Sequence, residues 1–318
     1  MKTGTSDTVK IKNARLMRQL KNQTPLCLMA LPVFILTIMF SYIPMFGLIL
    51  AFKNFNVRDG IFDSPWIGFK NFSYLFKTND AAIMLRNTLG YNLMFILINV
   101  LFGVAMAVAI TMIRSKRASK TYQTVMIMPH FLSMVIVAYL ALAFLNMENG
   151  LINSFIKAMG GKGVNWYVEP KWWPVILTIV NVWKETGFGS IIYISTIAGI
   201  DTTLYEAADI DGANSWQKIK SITLPMLKTI ICIQIILGIG KIFAGDFGLF
   251  YQVPMNSGAL KETTLTIPVY IYKNMTSGGP RTLGLSSATA FIQSVAGCVL
   301  VFATNCIVRK IDEESSLF

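Results

Sequence analysis

Lys184 and Glu185 stand side by side about halfway along an apolar stretch at 173–200. Ionisable groups at that depth of a membrane are expensive unless they are paired or wetted. Asn181, Lys184, Glu185 and Phe188 keep the i, i+3, i+4, i+7 spacing of one helix face. Gln234 lies within the stretch 222–244, Lys241 and Asp246 lie toward its outer end, and Gln293 lies within 282–308. Groups of this kind can take the place of water around a hydroxyl-rich solute. Asn181, Lys184, Glu185, Phe188, Gln234, Lys241, Asp246 and Gln293 are therefore candidates for a translocation path. The plainer reading, a structural pairing such as Lys184 with an acid on a partner subunit, stays open beside it.

Residue types for other chemistry are scarce. The chain has one histidine, His130. No Ser–His–acid set or metal cluster can be read around it, so no catalytic or metal-ligating residue is expected. His130 follows Pro129 with no acidic or cysteine neighbour in sequence, and packing is its expected role. No G-x-x-x-x-G-K-[ST] occurs, and Gly161, Lys162 and Gly163 fail its spacing. The chain is expected to hold no cofactor, and any ATP must be bound by another subunit. Cys27, Cys232, Cys298 and Cys306 sit in or beside apolar runs with no C-x-x-C spacing, as small buried hydrophobes do.

The elements that must position these residues are membrane helices. Of 318 residues, 54% are hydrophobic and only 14% charged, against roughly 25% charged in soluble domains. Mean hydropathy is +0.55. The runs 25–52, 87–113, 121–147 and 282–308 hold no Asp, Glu, Lys or Arg. Each exceeds the roughly 20 residues that cross a bilayer as a helix. Two further stretches, 173–200 and 222–244, carry a few charges and complete six spans. The predicted fold is an all-α integral membrane protein. It has a basic tail at 1–25, a six-helix domain at 26–308 and a short tail at 309–318. The first span is too long for a signal-peptide core and is expected to stay.

Lys and Arg set the orientation. The N-terminal tail has Lys2, Lys10, Lys12, Arg15, Arg18 and Lys21 against Asp7. Arg114, Lys116, Arg117 and Lys120 follow the second span, and Arg309 and Lys310 the last. Positive loops mark the cytoplasmic side, so both termini and the segment 201–221 are expected inside. The net charge of +12 is mostly this signature. Anionic lipid headgroups are the expected partner of the tail, and nucleic acid is not.

Outside the spans, 53–86 carries the interfacial mix WIGFKNFSYLF. Leu151, Ile152, Phe155, Ile156 and Met159 predict a short amphipathic helix ended by Gly160, Gly161 and Gly163. The segment 245–281 reads as loop with one short helix or strand. Trp166, Tyr167, Trp172 and Trp173 can stack on sugar rings, but an interfacial belt is the simpler reading.

The most specific segment is YEAADIDGANSWQKIKSITLP at 205–225. Thr203 and Glu206 have the spacing of a capping box. Two helical turns from Leu204 to Asp211 would follow, with Gly212 placed to end them in a left-handed conformation. Asn214 or Ser215 can cap a second short helix through Lys220, and Pro225 would open the next span, where a missing N–H costs little.

This pattern resembles the E-A-A loop of binding-protein-dependent ABC-importer permeases. Glu206, Ala207, Ala208, Asp211, Gly212, Ala213, Ile219, Leu224 and Pro225 stand where that family puts them, and Trp216 fills its usual aromatic position. Segments 187–200 and 239–260, GFGSIIYISTIAGI and IGKIFAGDFGLFYQVPMNSGAL, extend the likeness toward the oligosaccharide branch. The resemblance implies that Glu206, Ala207, Ala208, Asp211, Gly212 and Ala213 dock into a cytoplasmic ATPase. It implies two ATPase subunits, a second and non-identical permease chain, an extracellular solute-binding protein and an oligosaccharide substrate. The competing class is an ion-coupled secondary transporter or channel working without an ATPase, with Lys184 and Glu185 as the coupling pair. Six spans are few for it, and the loop would have no purpose. A membrane scaffold would leave the midplane charges without a reason.

Overall fold

The computed structural model describes residue 24 and residues 28–311 of the chain. Expectations for the basic tail, for Cys27 and for 312–318 lie outside the described residues. Among the described residues every regular element is helical. Five helices are long and apolar enough to cross a membrane: Leu28–Phe52 (α1), Asn79–Thr111 (α3), Pro170–Ala198, Ser215–Gly240 and Thr282–Cys306. The first two and the last agree with the charge-free runs 25–52, 87–113 and 282–308, and the other two with the stretches 173–200 and 222–244. The remaining one, at 121–147, does not cross as a single rod.

That third span is broken. It forms α4 (Lys116–Ile127), a tight turn at Met128–Phe131 and α5 (Met134–Leu145), with a 97° bend between the two parts. The pair makes a sixth span only if counted together. Pro129 lacks the N–H that would continue the ladder, and Leu132 is extended at ψ 134°. Ser133 then starts a new helix by accepting the Ile136 N–H through its hydroxyl.

Proline is handled differently in two other spans. Around Pro44 in α1 and Pro225 in the fifth span, the helix continues but widens by one residue. Ile43 N–H donates to Ile38, and Leu224 N–H to Ile219, in π turns at Ile38–Tyr42 and Ile219–Thr223. The wide turn keeps the proline ring clear of the carbonyl four residues back. Pro225 was expected to open the fifth span. The helix instead runs unbroken from Ser215, so α9 (Ser215–Lys218) and α10 (Leu224–Gly240) are one rod with the wide turn between them.

Shorter helices cap one end of the bundle. They are α2 (Lys70–Lys77), the expected α6 (Leu151–Ala158), α11 (Phe247–Tyr251) and α12 (Ile267–Thr276). The segment 245–281 is thus more helical than the sequence implied, because Asp246 caps α11 by accepting the Leu249 N–H. α7 (Trp173–Ala198) crosses the middle, α8 (Thr202–Ile210) follows it, and α13 (Pro280–Ile311) closes the chain.

The main core sits under these short helices. Trp173, Leu177, Leu249, Phe250, Val253, Leu260, Ile267 and Val269 are buried there, drawn from α7, α11, α12 and the turns between them. A smaller cluster, Ala107, Tyr193 and Leu227, joins α3, α7 and α10 toward the other end. By contrast, the most apolar window of α1 has none of its residues buried. Trp173 belongs to the core, with its indole N–H on the Trp166 carbonyl at 2.7 Å, rather than to an interfacial belt.

Backbone groups around α6 are held by one side chain. Asn153 is fully buried; its amide donates to the Asn146 and Val164 carbonyls at 3.0 and 2.8 Å and accepts from Val164 N–H at 2.9 Å. Asn153→Ala strands these groups at ~1–3 kcal/mol for each one left buried and unpaired. The variant should unfold at clearly lower temperature in detergent than the exposed control Lys162→Ala, measured by a thermal melt.

Candidate functional site

The segment after α7 folds as a compact knob. Asp201 is extended and caps α8, its carboxylate accepting the Thr203 N–H at 2.9 Å. The Thr203–Glu206 capping box is therefore not used: the nearer Asp201 takes the role, and Thr203 lies inside the helix. Hydrogen bonds from Thr203 hold the Asp201 carboxyl below its ordinary range, so a negative charge faces the positive end of α8. Gly212 has φ +77°. Ala213 N–H reaches Ala208 and Gly212 N–H reaches Asp209, the paired bonds of a Schellman corner. Asn214 and Gln217 then form a reciprocal capping box that starts α9.

Two contacts tie the halves of the knob together. Lys218 pairs with Asp209, and the Tyr205 hydroxyl meets the Thr223 hydroxyl at 3.0 Å. Glu206, Ala207, Asp211 and Gly212 are exposed, while Ala208 and Ala213 turn partly inward at the corner. Ile210 is 88% exposed at the tip.

The polar face of α7 divides in two. Lys184 is buried, and its ammonium donates to the carbonyls of His130 (2.7 Å) and Leu132 (2.9 Å) in the third-span break. Glu185 Oε2 lies 3.2 Å from His130 Nδ1 without lining up as a hydrogen bond. Phe188 stacks on the His130 ring at 4.1 Å and 5°. A Cβ on Gly187 would fall inside the Met126 carbonyl oxygen, so glycine is what admits this close approach. His130 does pack, as expected, but with an acidic neighbour that sequence order hid.

Asn181 faces elsewhere. It lines a cavity of about 390 Å³ with Asn92, Asn99, Gln234, Lys241 and Asp246. Phe95 of the main core and Tyr193 of the smaller cluster border it. Asn92 Nδ2 donates to Ile242 O at 2.7 Å. The Oδ1 atoms of Asn99 and Asn181 are buried with no protein partner. Gln293 is half-buried on α13 and is not among the lining residues. Among the described residues no cluster of His, Cys, Asp or Glu could hold a metal.

Residues 99–313 match the family described as "Binding-protein-dependent transport system inner membrane component". The chain belongs to that family. This permease is 32% identical over 305 residues to the polygalacturonan/rhamnogalacturonan transport system permease protein YteP of Bacillus subtilis. The match covers 96% of this chain and 94% of that one. It is 31% identical to protein LplB of the same organism, over 94% and 92% of the two chains. Among solved structures, a bacterial ABC transporter involved in import of the acidic polysaccharide alginate contains a similar chain. The TM-score is 0.84 at 32% identity, covering 94% of this permease and 99% of that chain. A related structure of the alginate transporter holds an alginate pentasaccharide-bound periplasmic protein; its chain matches at TM-score 0.83. This permease is a transport subunit in a membrane.

Sequence reading missed Asn92 and Asn99 on α3, because the run 87–113 was read only for its lack of charge. Their seven-residue spacing, repeated asparagine on one helix face, was the available signal. For the knob, Asp201→Ala should raise hydrogen-exchange rates of amides 203–206 several-fold while amides in α7 stay protected, measured on the purified permease.

Proposed function

We propose that this permease forms half of the translocation path of an ATP-driven importer for an oligosaccharide. The observation that carries the reading is the exposed, doubly capped knob at 202–218, set between two membrane helices in a chain of this family. One of two cytoplasmic ATPase subunits docks on Glu206, Ala207, Ala208, Asp211, Gly212 and Ala213, with Ile210 at the tip. An extracellular solute-binding protein delivers the sugar, and a second, non-identical permease completes the path. Both termini face the cytoplasm, in keeping with the Lys and Arg excess that flanks the spans. The oligosaccharide assignment draws on relatives named for transport of polygalacturonan/rhamnogalacturonan and of alginate. An ion-coupled carrier without an ATPase is disfavoured by the family membership.

The route runs through the cavity lined by Asn92, Asn99, Asn181, Gln234, Lys241 and Asp246. Its amides offer both donors and acceptors to sugar hydroxyls. Glu185, Phe188 and Gln293 stand outside this lining and would serve the path from its flanks. ATP binding closes the ATPase pair, the knob carries that motion into α7 and α10, and the cavity opens to the outside.

Gly212→Pro tests the coupling. Proline is fixed near φ −65°, cannot take +77°, and has no N–H to reach the Asp209 carbonyl. In proteoliposomes with ATPase and binding protein, the variant should insert normally and lose uptake together with substrate-stimulated ATP hydrolysis. Normal stimulation would refute the docking role. Asn181→Leu tests the route. Loss of a buried hydrogen-bonding group at ~1–3 kcal/mol predicts roughly tenfold slower uptake per assembled complex. ATPase docking should be unchanged, measured by co-purification.

A further inference from the structure

We propose that Lys184 is a positioning residue for transport: it fastens the broken third span to α7, so that one helix moves both the break and the cavity wall. The inference rests on the importer reading above. It deepens that reading by naming how motion of the knob reaches the membrane interior.

The break leaves backbone acceptors without helical donors. Pro129 brings no N–H, and extended Leu132 and Ser133 carry the chain away from the α4 axis. The carbonyls of His130 and Leu132 would be stranded at a depth where water is scarce. Lys184 supplies the missing donors from another helix, at 2.7 and 2.9 Å, with its own side chain buried. An ammonium has three protons and no acceptor. It is also a cation at the negative end of α4.

The neighbouring positions of α7 reinforce the grip. Gly187 admits Met126 against the helix, Phe188 lies flat on the His130 imidazole, and Glu185 stands 3.2 Å from its Nδ1. Four positions within five residues thus address one corner of one other span.

α7 does two further jobs. One turn before Lys184, Asn181 lines the cavity, as do Gly189 and Tyr193 farther on. At its end only 199–201 separate it from α8 of the knob. Displacement of the knob is therefore passed to α7, and Lys184 obliges the corner of the third span to follow. A helix that moved without its corner would shift the cavity wall while leaving the adjoining span behind. ATP would then be spent with little solute moved.

The test uses the complete reconstituted complex and reads uptake per ATP hydrolysed alongside complex yield. Lys184→Met keeps the length of the side chain and removes its donors; Lys184→Arg keeps donors and charge. Lys184→Met should lower uptake per ATP about tenfold, the scale of loss when a positioning contact goes, and Lys184→Arg should recover most of it. Unchanged uptake per ATP in the Lys184→Met complexes that assemble, at whatever yield, would overturn the proposal and leave Lys184 a purely structural residue. An arginine variant as poor as methionine would also overturn it. Should Lys184→Met fail to assemble, Phe188→Leu removes the stack while keeping apolar surface. A wild-type ratio there counts against the proposal, and a lowered ratio supports it. A wild-type chain that never pairs with an ATPase would fail earlier, and would refute the importer reading instead.

Discussion

A backbone carbonyl inside a bilayer must find a donor within the protein, because the surrounding lipid offers none. This constraint is met in two ways at three prolines within the spans. At Pro44 and Pro225 the helix meets it locally, by widening one turn so that the residue before proline bonds five back. At Pro129 the helix opens altogether, and the donors come from Lys184 on another element. The first solution leaves a rod intact. The second welds two spans together. The difference lies in what stands opposite, for only at Pro129 does a buried ammonium reach the freed oxygens.

The same constraint explains how a polar cavity can exist beside such a well-satisfied interior. The main core is dense, with Trp173, Leu177, Leu249 and Leu260 fully buried, while among the described residues the smaller cluster buries Ala107, Tyr193 and Leu227. Between them the asparagines of α3 and α7 face one another across a gap. Asn153 and Asn87, both buried, spend both amide protons on backbone carbonyls. Asn99 and Asn181 keep an oxygen unclaimed. The first pair stiffens the scaffold, and the second faces the space a solute can occupy.

Much of this was legible in the sequence, and the limits have physical causes. The spans showed because charge-free runs longer than the bilayer admit few other folds. The Gly212 corner showed because a glycine between two capping signals has one common use. The Thr203 capping box was misplaced because Asp201, two residues earlier, offers a carboxylate to the same helix end, and spacing alone cannot rank two competent caps. The third-span break was missed because an apolar run with one proline reads as a tolerated kink; Ser133, a helix cap four residues on, was the overlooked sign. The division of the α7 face could not be read at all. Lys184 and Asn181 share a helix face, but which neighbour each meets depends on the path of a chain segment more than fifty positions away.

The imidazole in the break is the only one in the chain. It lies flat against Phe188 at 4.1 Å, inside the shielding cone of that ring. Isotopic labelling of histidine alone therefore gives a single-site magnetic resonance probe, with no assignment step, provided the protein is purified without a polyhistidine tag. Its proton signals are displaced upfield while the two rings stay stacked and return toward ordinary positions when they part. One spectrum taken with nucleotide and one without would report whether the corner keeps its hold on the helix, with no mutation or attached label to disturb it.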